Sequence, residues 1–323
     1  IIGDIDIKKT KKLVKKLFGK WKNDRDLEGK FLKGSQNEIK EPVQQEEITI
    51  NVIDMPNSAN SEITFQNLVD LQMIDEDYYS ALIANRIFGA GPESRLFNNI
   101  REDKGYAYGA YSSIGDDKYS KAKFTASTST RSQVTDSALV EIVKEINKIH
   151  KIPVSSEELK NAKAKYLGEF VLAMERPSTI ANYAINIESN ELQSDYYKKF
   201  LSNINKVTIE DVQKAAKKYF KLNNAQIVVT GKGSEITDNL EKVSFENKII
   251  PIFYFDKYGN SIKKPVFNKE ISSDVNVKTI FLNYVNAIGG TDVLNKIKSI
   301  STTASVKIPN APFSPTAEIK QKH

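Results

Sequence analysis

The chain has 323 residues, 40% hydrophobic and 27% charged, with 47 Lys and Arg against 41 Asp and Glu. That apolar content, with a net charge of only +6, excludes a disordered chain and suffices for one large domain or two ordinary ones. There is no cysteine, and the two histidines are His150 and His323, which excludes disulfide scaffolds, thiolate metal sites and a zinc-binding helix with histidines one turn apart.

In chain order, Ile1-Ile2-Gly3-Asp4 reads as the tail of a buried strand leaving through a tight turn. A helix is expected from Asp6 to Trp21, carrying Lys8, Lys9, Lys11, Lys12, Lys15, Lys16 and Lys20 as a solvated face beside Ile7, Leu13, Val14 and Leu17. The basic balance is spread along the chain as lysine, so no nucleic-acid partner is read from it, and no stretch approaches the ~20 apolar residues of a membrane span. Residues 23–45 read as a linker. Alternation at Ile48, Ile50 and Val52, then Ile63, Phe65 and Leu68, predicts two strands around a turn at Pro56-Asn57.

A helix capped by Asp75 should run to Gly89, and a second from Pro92 to Lys104, stopped by Gly105. Strands Tyr106–Ile114 and Tyr119–Ser129 follow. Val134, Ala138, Ile142, Ile146 and Ile149 form one apolar helical stripe, and Ser155-x-x-Glu158 is a capping box. Pro177 breaks the next helix, and Ser178–Asn190 and Ser194–Asn203 are expected as shorter ones. Thr208-x-x-Asp211 caps a helix to Phe220, and Ile227-Val228-Val229-Thr230 is a buried strand. Ile249–Phe255 predicts a strand, Thr279–Ala287 a helix and Ser299–Ile308 a further strand.

The strand–glycine–helix punctuation at residues 1–18 returns at 227–243, about 230 residues on, far beyond the ~20–50-residue period of solenoids. Both ends look cut, as in a piece of a longer protein. The domain reading is therefore 1–22 as the tail of a preceding repeat, 23–45 a linker, 46–245 a second repeat, 246–270 a connection, and 271–323 the start of a further, truncated domain.

Chemistry concentrates in Asn85-Arg-Ile-Phe-Gly89-Ala-Gly-Pro-Glu-Ser94-Arg-Leu-Phe97, continuing through Arg101-Glu102 and Gly105-Tyr106-Ala-Tyr108. It is no phosphate loop, because no strand precedes the glycines and no Lys-Ser or Lys-Thr follows. This segment resembles the C-terminal-repeat signature of the insulinase/pitrilysin-like zinc metallopeptidases, which include the mitochondrial processing peptidases. Gly3-Asp4 with Phe18-Gly19-x-Trp21, and Thr208–Phe220 with Ile227–Gly231, resemble flanking elements of the same repeat, so the likeness covers roughly residues 1–235.

The resemblance implies an α+β fold, with helices packed on a mixed, mainly antiparallel sheet. It implies a zinc motif, H-x-x-E-H, in another repeat, supplied upstream in the same polypeptide or by a separate subunit. No cofactor is expected in this chain. Arg101 and Tyr108, seven residues apart, then match the pair that grips a peptide substrate near the metal: a cation for a carbonyl or carboxylate, and a phenol donating to the developing oxyanion. Arg101 at a helix C-terminus also has a structural reading. Tyr106 stands where the family more often has Leu.

His150 reads as a capping or solvated residue, and Asp116-Asp117 and Asp75-Glu76-Asp77 as turn and helix-start carboxylates. Glu175-Arg176-Pro177 sits at a helix break and could line a chamber. The function expected is the substrate-binding, non-zinc half of a metalloendopeptidase, inactive alone. The alternatives are a pseudo-peptidase scaffold, or a module that captures extended peptides at a sheet edge. Through family members with a similar appended C-terminal segment, the resemblance implies a bacterial envelope or periplasmic setting, with the cytoplasm left open.

Overall fold

The computed structural model describes residues 1–20, 40–267, 275–306 and 313–322. Trp21, most of the expected linker, residues 268–274 and His323 lie outside the described residues. Two units form, Ile1–Phe267 and Asn268–His323.

The first unit begins with α1 (Ile7–Phe18), capped by Asp6, whose carboxylate accepts the Lys9 N–H at 2.9 Å. The expected lysine face is there, but Ile7, Leu13, Val14 and Leu17 are exposed as well. Ile1 and Ile2 belong to no strand, correcting the expected strand tail: both are exposed, and no described backbone pairs with them. Strands β1 (Thr49–Asp54) and β2 (Asn60–Val69) flank the predicted turn. Helix α2 (Tyr78–Phe88) starts three residues after Asp75. Asp75 instead closes the preceding turn, where its carboxylate accepts the Gln72 N–H at 2.8 Å.

Where one helix was expected from Pro92 to Lys104, there is a single helical turn, α3 (Arg95–Phe97), running into a π-helical turn at Asn98–Asp103. Strands β3 (Ala107–Ile114) and β4 (Ala122–Arg131) follow. The second begins later than the alternation suggests. The Asp117 carboxylate takes the N–H groups of Tyr119 and Ser120 (2.7 and 2.9 Å) and holds them in a turn.

Helices α4 (Thr135–Lys151), α5 (Ser156–Met174), α6 (Pro177–Ser189), α7 (Tyr196–Lys206) and α8 (Ile209–Tyr219) come next. The expected capping box forms at Ser155/Glu158, the expected Thr208/Asp211 cap is a second such box, and Pro177 occupies the first turn of α6. Then come β5 (Gln226–Gly231), α9 (Gly233–Leu240), the short hairpin strands β6 (Ser244–Phe245) and β7 (Lys248–Ile249), β8 (Ile252–Phe255) and β9 (Ser261–Ile262). The expected Ile249–Phe255 strand is split at Pro251, which has no N–H to give a ladder.

One seven-stranded sheet has the order β3-β4-β2-β5-β1-β8-β9. β1 runs parallel to β5 and to β8, and the other pairs are antiparallel, so the sheet is mixed and mainly antiparallel, as expected. β1 and β2 flank one turn yet are not neighbours, because β5 inserts between them. Its Ile227 and Val229 are fully buried, as a central strand requires. Alternate residues of β2 (Ile63, Phe65, Val69) and β4 (Phe124, Ala126) meet the buried faces of the helices, including Ile83, Ile87 and Phe88 of α2 and Ile142 and Ile146 of α4. At the centre Phe124 stacks on Phe220 with centroids 4.1 Å apart, and Phe88 leans on both at 5.7 and 5.4 Å. Phe88 immediately precedes the glycine turn, so the core holds the motif in place.

The second unit, taken by itself, has helix α10 (Val277–Ala287), with a capping box at Asn276/Thr279, helix α11 (Gly290–Leu294), and an antiparallel pair, β10 (Ser299–Ser305) and β11 (Thr316–Lys322).

Candidate functional site

The glycine turn is shaped by close approach. Gly89 lies against β3, where its carbonyl accepts the Ser112 N–H at 2.9 Å. A Cβ on Gly89 would stand 2.4 Å from Ser112 Oγ and 2.8 Å from the Ser112 backbone nitrogen, so no larger residue fits there without moving the strand. Buried Asn85 completes the lock by accepting the Ser112 hydroxyl at 2.7 Å. The Asn and first Gly of the motif are thus structural, and they fasten α2 to the edge strand.

From that turn the chain enters α3. Arg95 makes a bidentate pair with Glu158 of the α5 capping box, at 2.6 and 2.9 Å. Burial alone would raise the Glu158 carboxyl. The Arg95 and Ser155 hydrogen bonds outweigh it and hold the group at about 2, below its ordinary 4.5. A depressed carboxyl contributes stability that is present above pH 4.5 and lost as pH falls toward 2. Glu158 keeps a third of its side chain in solvent, so screening reduces that contribution to about 1–2 kcal/mol. Urea unfolding at pH 6 and pH 3 should show this loss, and Arg95→Gln should flatten it. An unchanged pH dependence in Arg95→Gln would sink the assignment.

The π-helical turn then carries Arg101. Lys104 N–H reaches back to Asn99 O at 3.0 Å, and Gly105 and Tyr106 N–H close the end on Arg101 O (3.2 Å) and Ile100 O (2.9 Å). Gly105, at φ +60°, takes the left-handed position this reversal requires. The Arg101 side chain is 48% exposed, 3.3 Å from Glu102, with its guanidinium 5.1 Å above the Phe97 ring. Phe97 in turn packs on Tyr111 of β3, centroids 5.6 Å apart.

Beyond the reversal, β3 slips by one residue against β4 between Ala107 and Ala110. The bulge contains Tyr108, which is 95% exposed, while Ala110 and Ser112 return to the buried face. Among the described residues Tyr108 has no hydrogen-bond partner, unlike Tyr78, Tyr196, Tyr219 and Tyr254, whose hydroxyls all donate to protein oxygens. Tyr106, by contrast, packs against the core. The two predicted site residues thus flank one reversal, both accessible.

Glu175 and Arg176 lie exposed at the junction of α5 and α6, whereas His150, Asp116 and Asp77 have structural partners. His150 is half-buried, and its Nε2 lies 3.1 Å from Ala216 O in the last turn of α8, tying α4 to that helix end, while burial pushes the imidazole pKa down. Asp116 accepts the buried Tyr78 hydroxyl at 2.9 Å, and Asp77 accepts Lys218 and Tyr219 at 2.7 and 2.8 Å. Among the described residues no three His, Cys, Asp or Glu side chains converge to hold a metal ion. The described residues therefore offer no set for a zinc ion, which the resemblance assigns to another repeat. Two contacts at the turn, Phe97 beneath Arg101 and Asn99 to α4, are not assigned by the sequence. Phe97, four residues before Arg101, was within reach of helical spacing. Asn99 was not, because its partners lie on α4.

These features define an α+β module without a metal set of its own among the described residues. The family described as Peptidase M16 inactive domain matches residues 1–166, just over half of the chain, and the chain belongs to that family. It is 27% identical over 169 residues to an uncharacterized zinc protease, YmxG of Bacillus subtilis strain 168, covering 51% of this chain and 40% of YmxG. It is 22% identical over 218 residues to a probable inactive metalloprotease of the same organism, YmfF, covering 68% and 48%. The chain thus spans less than half the length of either curated relative.

Two solved structures share the fold. One is a peptidase M16 inactive domain from Pseudomonas fluorescens, with TM-score 0.56, 23% identity, and 61% of this chain and 46% of that one covered. The other is the periplasmic protease PqqL from Escherichia coli, with TM-score 0.52, 14% identity, and 71% and 24% covered. No helix among the described residues is long and apolar enough to cross a membrane.

Proposed function

We propose that this chain is the substrate-gripping half of a zinc metallopeptidase whose metal is carried by another module, in the same polypeptide or in a separate subunit. The observation that carries this reading is Tyr108. A tyrosine 95% exposed on a bulge, with no partner for its hydroxyl among the described residues, serves no packing role. It sits just across the Gly105 reversal from an accessible arginine. Arg101 would hold a peptide carbonyl or carboxylate by charge-assisted hydrogen bonds, and Tyr108 would donate to the oxygen that gains charge during hydrolysis. The sheet face opposite the helices, with half-buried Asn51, Thr64, Gln66, Thr125, Ser127 and Thr230, would form a polar wall along the bound peptide.

In this reading residues 1–22 close a preceding repeat and 271–323 open a further domain. The likeness to a periplasmic protease supports an envelope or periplasmic setting. The likeness to a probable inactive metalloprotease supports a second reading, a scaffold that assembles without contributing to hydrolysis. Reconstitution separates the two. Peptide hydrolysis should appear only when this chain and the zinc-bearing module are combined, and neither should act alone. A stable complex in which this chain adds nothing to the turnover of the zinc-bearing module would favour the scaffold.

A further inference from the structure

A π-helical turn is a local departure from the α-helix that other contacts must hold in place. Here the holding contacts are specific. Asn99 turns inward, and its amide donates to Glu141 Oε2 at 3.1 Å and to Glu145 Oε1 at 2.9 Å, both on α4. Glu145 is only 5% exposed, and its Oε2 and the Asn99 Oδ1 are buried without a partner. Leaving two polar atoms unpaired in the interior is costly, and a well-packed apolar pair would avoid that cost. Arg101 lies two residues after Asn99, roughly half a turn around the π-helix, so anchoring one inward sets the direction of the other outward. Phe97, buried one turn earlier, puts its ring face beneath the guanidinium and is itself braced by Tyr111. Arg101 is thus held by a register clamp on its backbone and an aromatic platform under its side chain.

We propose that Asn99 and Phe97 are positioning residues that pre-order Arg101 for a peptide carbonyl or carboxylate, the clamp fixing the π-turn and the ring fixing the guanidinium. This rests on the reading of Arg101 as a substrate contact. Pre-ordering a long cationic side chain lowers the entropy lost when it engages the peptide.

The test is a pair of double-mutant cycles in the assembled enzyme, with Asn99→Ala and Phe97→Leu each made in the native and the Arg101→Ala backgrounds. Each should lower kcat/KM about tenfold in the native background and less than twofold once Arg101 is gone. Phe97→Tyr, which keeps the ring, should restore most of the activity lost in Phe97→Leu. Should Asn99→Ala fail to fold, the Phe97 cycle decides alone. In the chain by itself, NMR relaxation of the Arg101 Nε–H group should show an ordered side chain that becomes mobile in Phe97→Leu. Full, additive losses in both backgrounds would overturn the positioning roles while leaving Arg101 as a contact. An unchanged kcat/KM in Arg101→Ala alone would overturn the contact reading, and the positioning roles with it.

Discussion

On the proposed function, Arg101→Ala should lower kcat/KM of the assembled peptidase about a hundredfold, and Tyr108→Phe about tenfold, with the bound metal unchanged in both. The larger figure follows from losing the charged donor that holds the peptide, since hydrogen bonds to a charged group are worth about 1.5–3 kcal/mol and about 1.4 kcal/mol is tenfold in rate. The smaller reflects a neutral phenol, of which Phe removes only the hydroxyl. Neither loss can be charged to unfolding. Tyr108 is almost wholly in solvent and bonds to nothing among the described residues, so its substitution should leave stability within about 0.5 kcal/mol. The Arg101–Glu102 contact is a surface pair between neighbours, a class worth about 0–1 kcal/mol. Metal content should stay constant because the described residues offer no converging ligand set. Equal kinetics in native and both variant enzymes would remove the assigned roles and leave the scaffold reading.

What the sequence revealed divides along a physical line. Features set by contacts a few residues apart were legible. The Ser155/Glu158 and Thr208/Asp211 capping boxes, the break at Pro177 and the buried stripe Ala138-Ile142-Ile146-Ile149 all formed where spacing put them. Features set across the sheet were not. Nothing local in Ile227–Thr230 says that β5 inserts between β1 and β2, since a buried strand reads the same at any central position. The π-turn at Asn98–Asp103 is not legible for the same reason: the partners of its Asn99 amide are Glu141 and Glu145 on α4, more than 40 residues away. The partner of His150, Ala216 O, is 66 residues distant and equally out of reach of local reading. Arg101 and Tyr108 were nominated through the motif, and the fold adds that both are accessible and lie on two sides of a glycine that permits the reversal.

Phe220→Ala should cost about 4 kcal/mol of unfolding free energy. Phe220 is fully buried, stacked face to face on Phe124 of β4 and tilted against Phe88 of α2. Truncation removes the ring's transfer energy and leaves a cavity that cannot collapse easily, because the neighbouring backbone is pinned on both sides. Asn67 of β2 donates to Tyr219 O at 2.9 Å and accepts the Lys221 N–H at 3.1 Å, clamping the residues before and after Phe220. The consequence reaches the motif. Phe88 loses a ring on one side and is followed directly by Gly89, whose carbonyl holds Ser112 of β3. Hydrogen exchange of the Ser112 amide should therefore accelerate in Phe220→Ala, while exchange in the β10–β11 pair of the second unit stays as in the native chain. Denaturant titration gives the energy, and amide exchange gives the path. A loss below 1 kcal/mol, or an unchanged Ser112 amide, would mean that the aromatic cluster does not hold the glycine turn.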